Sequence, residues 1–363
     1  MLCVKKKLTV AIPTYNRAHL LEDLLSQLCT DIAIFKLENH VEIVISDNFS
    51  IDDTSSICDK YSSQYAYVKY YCNDSNLGAK VNVIKSMCLA SGEFVLLLGD
   101  DDRIRNGCLI EIVEFLNKNT GVSILLDISK SKKNDIGSSE VLPLNLVLEN
   151  YFWYMGNASV FVFSTDHINN LVNSYGYNFF NQCWPQTQLM ILSSGINKGK
   201  IYIKNFNISV ESKHDEVMVY TSFYLWRTCI LELLHSINTI KNIISNELYN
   251  SCRIYIKENL RQNIFNILQC GIFVDTISER KNTRYHILRY FRLFSPYEKS
   301  LLLLTIIILS IPIVFSRPLS NIFIFILKGK NGLYKKNNFV LNELKKKNML
   351  VKKSLVVREL DFE

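Results

Sequence analysis

Residues 94–102, Phe-Val-Leu-Leu-Leu-Gly-Asp-Asp-Asp, join an apolar run to three consecutive carboxylates. The apolar part, Phe94–Leu98, predicts a buried β-strand. Like charges repel, so three adjacent carboxylates at the end of a strand are costly unless a cation lies among them. Because Mg²⁺ and Mn²⁺ favour hard oxygen ligands, the run predicts a metal site at Asp100, Asp101 and Asp102.

A solvated acidic turn before a helix starting near Asn106 is the alternative interpretation of these carboxylates. The preceding chain favours the metal site. The β-branched run Leu8–Ile12 predicts one strand, and Val41–Ile45 predicts a second strand that ends at Ser46 and Asp47. An amphipathic leucine stripe over residues 18–28 predicts a helix between them. Strand–helix alternation indicates a mostly parallel sheet, whose ligands bind beyond the carboxyl ends of the strands.

The remaining chain continues this pattern before it becomes helical. Further strands are predicted at Val68–Cys72, 122–126 and Ala158–Phe163, further helices at 54–65, 79–90 and through most of 216–293, and a surface loop at 129–140. We therefore expect an α/β fold with a Rossmann-like sheet flanked by helices and a C-terminal helical, membrane-associating extension. The expected segments are 1–120 and 121–215 for the two halves of this fold, 216–296 for the helical extension and 297–363 for the tail.

The net charge of +7 comes from a basic C-terminal region after a nearly neutral body. Leu301–Phe315 is apolar but, at about 1.5 Å per residue, too short for a hydrocarbon core of about 30 Å. A second apolar run, Ile322–Leu327, follows, and basic residues flank both. This favours a membrane-interface anchor over a buried core helix. Nucleic acid is disfavoured as a partner, because the basic residues accompany Leu/Ile runs and form no recognisable groove-reading module.

The cysteines predict a reducing compartment. The chain has ten cysteines, at irregular spacing and without a C-x-x-C pair, which is typical of buried thiols and not of a disulfide framework or a zinc site. A strand begins within the first ten residues, so we expect no secretory segment and a cytoplasmic location.

Four motifs follow one another in residues 8–120: Thr9-Val-Ala-Ile-Pro-Thr-Tyr-Asn-Arg17, Ser46-Asp-Asn-Phe-Ser-Ile-Asp52, Asn76-Leu-Gly78 with Asn82, and Gly99-Asp-Asp-Asp102. In order and spacing they resemble those of family 2 glycosyltransferases. The resemblance implies that residues 1–120 bind the nucleotide-sugar donor and residues 121–215 bind the acceptor. Within that family the chain is similar to the abequosyltransferase-like branch of bacterial O-antigen enzymes.

The resemblance implies a GT-A fold and an inverting, metal-dependent transfer of a single sugar from a nucleotide-sugar donor, with a deoxyhexose as one candidate. It also implies Mg²⁺ or Mn²⁺ as cofactor and a lipid-diphosphate-linked oligosaccharide as acceptor, in O-antigen or surface polysaccharide synthesis. The enzyme would lie peripherally on the inner face of the cell membrane.

The resemblance also implies which residues contact the nucleotide-sugar. By matching position they are Pro13, Tyr15, Arg17, Asp47, Asn76, Gly78, Asn82, Asp100 and Asp101. Gly99 stands where the family's usual D-x-D motif has its first acid, and Asp100 would restore that acid one residue later.

The second half departs from the family pattern. An inverting transfer needs a base for the acceptor hydroxyl, and the region that matches the family's Glu-Asp pair, residues 183–188, holds no carboxylate. Gln186 can orient a hydroxyl but cannot take its proton, and a later charged cluster offers His214 and Asp215 as candidates. His214 could be the base, a metal ligand or a solvated loop histidine, so the sequence leaves the base open. Gly156 and Trp184 are expected in the acceptor cleft, although core packing explains the tryptophan equally well.

Two other function classes compete. A nucleotidylyltransferase would need a glycine-rich loop after the first strand, and Pro13–Arg17 contains no glycine. A catalytically inactive glycan- or membrane-binding protein would explain the missing Glu-Asp pair.

Overall fold

The computed structural model describes residues 5–256, except 120, 129–139, 152–157, 181–183, 198–199, 207 and 211–230, and a few helical positions between 288 and 310. The chain divides into two compact units, Met1–Asp215 with Thr239–Cys252, and Glu216–Asn238 with Arg253–Glu363. Because residues 129–139 are not described, the loop predicted at 129–140 lies almost wholly outside the described residues.

The alternation of strands and helices predicted for residues 8–126 is confirmed. The strands are β1 (Leu8–Thr14), β2 (Val41–Asp47), β3 (Val68–Cys72), β4 (Phe94–Leu97), β5 (Arg103–Ile104), β6 (Val122–Asp127), β7 (Glu140–Leu142), β8 (Phe161–Ser164), β9 (Lys200–Lys204) and β10 (Ser209–Val210). The helices are α1 (Ala18–Ile34), α2 (Thr54–Gln64), α3 (Ala79–Cys88), α4 (Cys108–Lys118), α5 (Leu144–Tyr151), α6 (Thr165–Tyr175), α7 (Pro185–Asn197) and α8 (Leu231–Thr239), with 3₁₀ turns at Ala158–Val160 and Tyr177–Phe179.

Eight strands form one sheet in the order β3-β2-β1-β4-β8-β6-β9-β7. β1 pairs in parallel with β2 and β4, and Thr14 lies opposite Asp47 in the register. β8 inserts antiparallel between β4 and β6. The carboxyl ends of β1, β2 and β4 therefore meet at one edge, where the predicted site residues follow the strands.

The core lies on both faces of this sheet. On one face, alternate residues of β1 and β2 pack with the leucine stripe of α1 and with α4, and their side chains are almost fully buried. On the other face, α3 packs against β1, β2 and β4. This coverage explains why the central strands are continuous apolar runs and do not alternate with polar residues.

The strand predicted at Ala158–Phe163 is partly wrong. Residues Ala158–Val160 form a 3₁₀ turn, and the strand begins only at Phe161. The prediction failed because a short apolar run does not distinguish a buried turn from a strand.

The second unit is described only in part. Two large apolar side chains in it, Leu303 and Ile307, belong to helical positions and are 49% and 50% exposed. Among the described residues, no helix combines the length and apolar character needed to cross a bilayer.

A buried carboxylate, Glu42 on β2, ties the amino end of the sheet to the loop before β4. Its oxygens accept hydrogen bonds from Thr9 Oγ1 at 2.6 Å, Ser91 N at 2.7 Å and Lys69 Nζ at 2.8 Å. Burial alone would raise the pKa of Glu42, but the hydrogen bonds from Lys69, Ser91 and Thr9 outweigh it and lower the pKa to about 2. Gly92 fits beside this group because a Cβ there would lie 2.8 Å from Thr9 Oγ1.

We expect Glu42→Gln to reduce the free energy of unfolding by roughly 2–4 kcal/mol at pH 7, since a folded-state pKa below the unfolded value stabilises the ionised form. The stabilisation is complete above the unfolded pKa, near 4.5, and is lost as pH falls toward 2. Urea unfolding of both proteins from pH 7 to pH 3 measures this difference.

Glu114→Gln is the matched control, because Glu114 is exposed and pairs with Lys118 on α4. Exposed pairs of this kind contribute little to stability. An equal loss in the two variants, or a Glu42→Gln deficit that does not shrink in acid, would contradict the role given to Glu42.

Candidate active site

Thr14, the last residue of β1, links the two acidic parts of the site. Its hydroxyl donates a 2.8 Å hydrogen bond to Asp100 Oδ2, and its carbonyl accepts one of 3.0 Å from Asn48 N. Asp47 lies beside it in the sheet register. The structure thus brings Asp47 and Asp100 to the same sheet edge, on either side of β1.

Asp47 is buried, and its carboxylate organises the turn after β2. Oδ1 accepts hydrogen bonds from Ser50 N at 3.0 Å and Ser50 Oγ at 2.5 Å, and Oδ2 accepts one from Tyr70 Oη at 3.0 Å. Burial and the neighbouring Asp47 raise the pKa of Tyr70, which therefore remains a protonated donor. Contact of Asp47 with a nucleotide stays a prediction, and in this structure its hydrogen bonds shape the loop.

The loops after β1 and β2 are joined to each other. Ser50 Oγ accepts a hydrogen bond from Asn16 N at 2.8 Å, and Asn16 Oδ1 accepts one from Ile51 N at 2.8 Å. Asn16 and Phe49 have φ angles of 52° and 68°, in the left-handed region that non-glycine residues rarely adopt. The joined loops leave the rings of Tyr15 and Phe49 36% and 49% exposed. Strained backbone of this kind occurs where a ligand is clamped.

An asparagine network fixes the turn that contains Asn76 and Gly78. Asn76 Oδ1 accepts hydrogen bonds from Asn48 Nδ2 at 2.7 Å and Gly78 N at 2.9 Å. Asn73 Nδ2 joins Asn48 Oδ1 to Asn82 Oδ1, at 3.1 Å and 3.0 Å. Asn82 is buried, so in this structure it supports the turn, and its contact with a nucleotide-sugar stays a prediction. Gly78 has a φ of 81°, which explains the glycine at this position.

Arg17 balances part of the negative charge of the acidic cluster, which consists of Asp100, Asp101 and Asp102. Its guanidinium lies 2.8 Å from Asp100 Oδ1 and 3.4 Å from Asp101 Oδ2. Burial raises the pKa of Asp100, and Arg17 partly offsets that effect. With all groups ionised, three carboxylates and one guanidinium leave two negative charges in excess. One divalent cation would neutralise that excess.

Asp101 and Asp102 direct one oxygen each toward the space above Gly99. A Cβ atom at Gly99 would lie 3.0 Å from Asp101 Oδ1 and 3.0 Å from Asp102 Oδ2. The missing side chain at Gly99 therefore leaves a space that these two carboxylate oxygens border. Among the described residues, no group of three or more His, Cys, Asp or Glu side chains could hold a metal ion. Proteins also bind Mg²⁺ with one or two carboxylates completed by substrate phosphates, and metal binding by Asp101 and Asp102 stays a prediction.

Asp100 differs from its two neighbours. Both of its oxygens accept hydrogen bonds from protein donors, Thr14 and Arg17. Its predicted role as a metal ligand remains a prediction, and its observed role is to hold Arg17 beside Asp101. Ser159 was not singled out from the sequence, yet it contacts both Asp102 and Gly99. Nothing local in the sequence distinguishes this serine, because the contact depends on where β8 enters the sheet.

The acceptor-side candidates are only partly described. Trp184 and Gln186 lie at the start of α7 and are 6% and 3% exposed, so both are largely packed into the protein. The predicted acceptor residue Gly156 and the base candidates His214 and Asp215 lie outside the described residues. The roles of these residues stay predictions.

The family comparison agrees with this geometry. The model named Glycosyl transferase family 2 matches residues 9–178. Abequosyltransferase RfbV of Salmonella typhimurium is 33% identical over 116 residues, which cover 32% of this chain and 34% of that protein. The GalNAc(5)-diNAcBac-PP-undecaprenol beta-1,3-glucosyltransferase of Campylobacter jejuni is 34% identical over 117 residues, 31% of this chain and 35% of that protein. The matches thus span about a third of these curated relatives.

Solved structures share the fold at low sequence identity. S. aureus TarS 1–349 in complex with UDP-GlcNAc superposes with a TM-score of 0.57 and 17% identity, covering 80% of this chain and 82% of that chain. The mannosyltransferase PcManGT from Pyrobaculum calidifontis, in complex with GDP-Man and Mn²⁺, gives 0.52 and 11%, covering 86% and 88%. Residues 9–178 thus match the family 2 glycosyltransferase model, the sheet has the GT-A fold of these solved structures, and the curated relatives include an abequosyltransferase.

Proposed function

We propose that this protein transfers a single sugar from a nucleotide-sugar to a lipid-linked oligosaccharide, in O-antigen or surface polysaccharide synthesis. The observation that carries the proposal is the pair of carboxylates, Asp101 and Asp102, that share the space above Gly99 beside Arg17. In proteins, one or two carboxylates together with substrate phosphates commonly hold Mg²⁺, and ligands of such sheets bind beyond the carboxyl ends of the strands.

The donor half would bind the nucleotide-sugar through the joined loops after β1 and β2. Tyr15 and Phe49 expose aromatic rings there, and a nucleobase presents a flat face to such rings. Asp101 and Asp102 would hold Mg²⁺ or Mn²⁺, which supplies charge neutralisation for a diphosphate leaving group. Arg17, which pairs with Asp100 and Asp101, would add a guanidinium, whose planar donors suit phosphate oxygens.

The acceptor is proposed from the relatives. The Campylobacter jejuni relative is named for a substrate joined through PP to undecaprenol. A lipid-diphosphate-linked oligosaccharide is thus our proposed acceptor class. The abequosyltransferase relative supports a deoxyhexose as one candidate sugar, and the glucosyltransferase relative supports a hexose.

Inversion in a single displacement is also part of the proposal. It requires a base within hydrogen-bond reach of the acceptor hydroxyl. Gln186 cannot act as that base because a carboxamide does not take up a proton at neutral pH. We therefore keep His214 and Asp215 as the candidates for this role.

One observation favours a second candidate function, a non-catalytic glycan- or membrane-binding protein. The start of α7, where the family has its Glu-Asp pair, carries Gln186 and Gln188, and both are buried. Formation of glycosylated product from a crude lipid-linked acceptor would exclude this alternative.

The tail is proposed to hold the protein on the inner face of the membrane. Leu303 and Ile307 lie one helical turn apart and are half exposed, which places apolar surface on one side of a helix. Lys299 precedes them, and further lysines and arginines follow in the sequence. Apolar side chains flanked by basic ones match an anionic bilayer surface.

We expect Asp102→Asn to abolish donor binding that depends on Mn²⁺. A panel of UDP-, GDP-, dTDP- and CDP-sugars should include one that raises the thermal midpoint by about 2–4 °C at roughly ten times its dissociation constant, only with Mn²⁺ or Mg²⁺ present. Thermal-shift assays with and without the cation measure this.

Asp59→Asn is the control, because Asp59 is an exposed carboxylate on α2. It should respond to the donor as the wild type does. Donor stabilisation that persists in Asp102→Asn or in a chelator would refute the metal-dependent site.

We expect the double substitution Leu303→Asp and Ile307→Asp to release the protein from anionic vesicles while donor binding is retained, since two charges replace the apolar surface. Deletion of residues 297–363 should act in the same way. Co-sedimentation with vesicles of anionic or neutral lipid, combined with the thermal-shift assay, measures both effects.

Ile34→Asp serves as the comparison, because Ile34 is a 63% exposed apolar residue at the end of α1, in the first unit. This variant should sediment with vesicles as the wild type does. If the truncated protein still sediments, the assignment of the tail as the anchor is wrong.

A further inference from the structure

Ser159 is a small polar residue that is almost completely buried. It lies in the 3₁₀ turn Ala158–Val160, immediately before β8, and is 1% exposed. The turn packs against β4, the strand that leads into the acidic cluster. A buried hydroxyl requires hydrogen-bond partners, and those of Ser159 lie about 60 residues earlier in the chain, at Gly99 and Asp102.

The direction of these two hydrogen bonds is fixed by chemistry. Gly99 N lies 2.8 Å from Ser159 Oγ, and a backbone N–H can only donate, so the hydroxyl oxygen accepts there. The single hydroxyl hydrogen is then directed to Asp102 Oδ2. Asp102 therefore receives a hydrogen bond that fixes the orientation of its carboxylate.

This orientation concerns the same oxygen that faces the space above Gly99. Asp102 Oδ2 would lie 3.0 Å from a Cβ at Gly99, and Ser159 Oγ would lie 3.6 Å from it. The serine hydroxyl thus stands at the border of the space that Asp101 and Asp102 share. Partners of this kind, which hold a ligand without binding the metal, strongly affect metal affinity.

We propose that Ser159 is the positioning residue for Asp102, and that it links the β8 side of the sheet to the cation-binding end of β4. This inference rests on the proposed function, since it assumes that Asp102 is a cation ligand. The inference gives Ser159, in the turn before β8, an effect on the donor site. Ser159 follows the predicted acceptor residue Gly156 by three positions.

The test measures binding of Mn²⁺ alone to the full chain, by loss of the free-ion electron paramagnetic resonance signal. Ser159→Ala should raise the Mn²⁺ dissociation constant by roughly 10-fold to 100-fold, the usual effect of removing such a partner. Ser159→Cys keeps the volume of the side chain but offers a weaker donor, and its dissociation constant should fall between those of wild type and Ser159→Ala. Circular dichroism verifies the fold, and if Ser159→Ala does not fold, Ser159→Cys carries the comparison.

Ser86→Ala is the matched control, because Ser86 is fully buried and donates to Val83 O at 2.8 Å within α3. Its Mn²⁺ affinity should equal that of the wild type. A double-mutant cycle separates positioning from general structural damage. In the Asp102→Asn background, Ser159→Ala should have no additional effect on Mn²⁺ binding.

The outcomes distinguish the two proposals. Wild-type affinity in both Ser159 variants, while Asp102→Asn is weakened, overturns the role of Ser159 and leaves the metal site intact. Additive losses in the double variant also overturn it, because Ser159 would then act independently of Asp102. Equal Mn²⁺ binding by wild type and Asp102→Asn, or none by either, overturns the cation site and the inference together.

Discussion

The acidic end of β4 depends on the ion pair between Arg17 and Asp100. Asp100 is buried at the carboxyl edge of the sheet, where an uncompensated charge is costly. The guanidinium at 2.8 Å and the Thr14 hydroxyl at 2.8 Å compensate it, and both come from β1 and the residues that follow it. The pair therefore joins the motif that follows β1 to the motif that follows β4. Beside it, Asp101 and Asp102 each place one oxygen near the space above Gly99, where we propose a cation.

The fold was largely predictable because its strands are buried on both faces. Runs such as Leu8–Ile12 and Phe94–Leu98 are continuous and apolar, and the leucine stripe of α1 has a clear helical period, so type and order of these elements follow from the sequence. The position of β8, antiparallel between β4 and β6, was not predicted. Local periodicity carries no information about which distant strands pair. The 3₁₀ turn at Ala158–Val160 was predicted as strand because short buried turns and short buried strands have the same apolar sequence pattern.

The site was predictable where motifs follow strands. Asp47 and Asp100 were expected at one edge, and the structure brings them there, on either side of Thr14. The hydrogen bonds that each carboxylate makes were harder to predict, because their donors come from elsewhere in the chain. Tyr70 on Asp47 and Ser159 on Asp102 are common residue types without a local pattern. Sequence motifs thus located the edge of the sheet, while the hydrogen bonds that orient each carboxylate required the structure.

The most direct test is a crystal structure with Mn²⁺ and the nucleoside diphosphate that stabilises the protein best, using anomalous scattering to locate the metal. We predict one manganese ion about 2 Å from carboxylate oxygens of Asp101 and Asp102, bridged to the diphosphate. We also predict that the nucleobase lies between the loops that contain Tyr15 and Phe49. A manganese ion away from these carboxylates, or a nucleotide bound at another surface, would contradict the account.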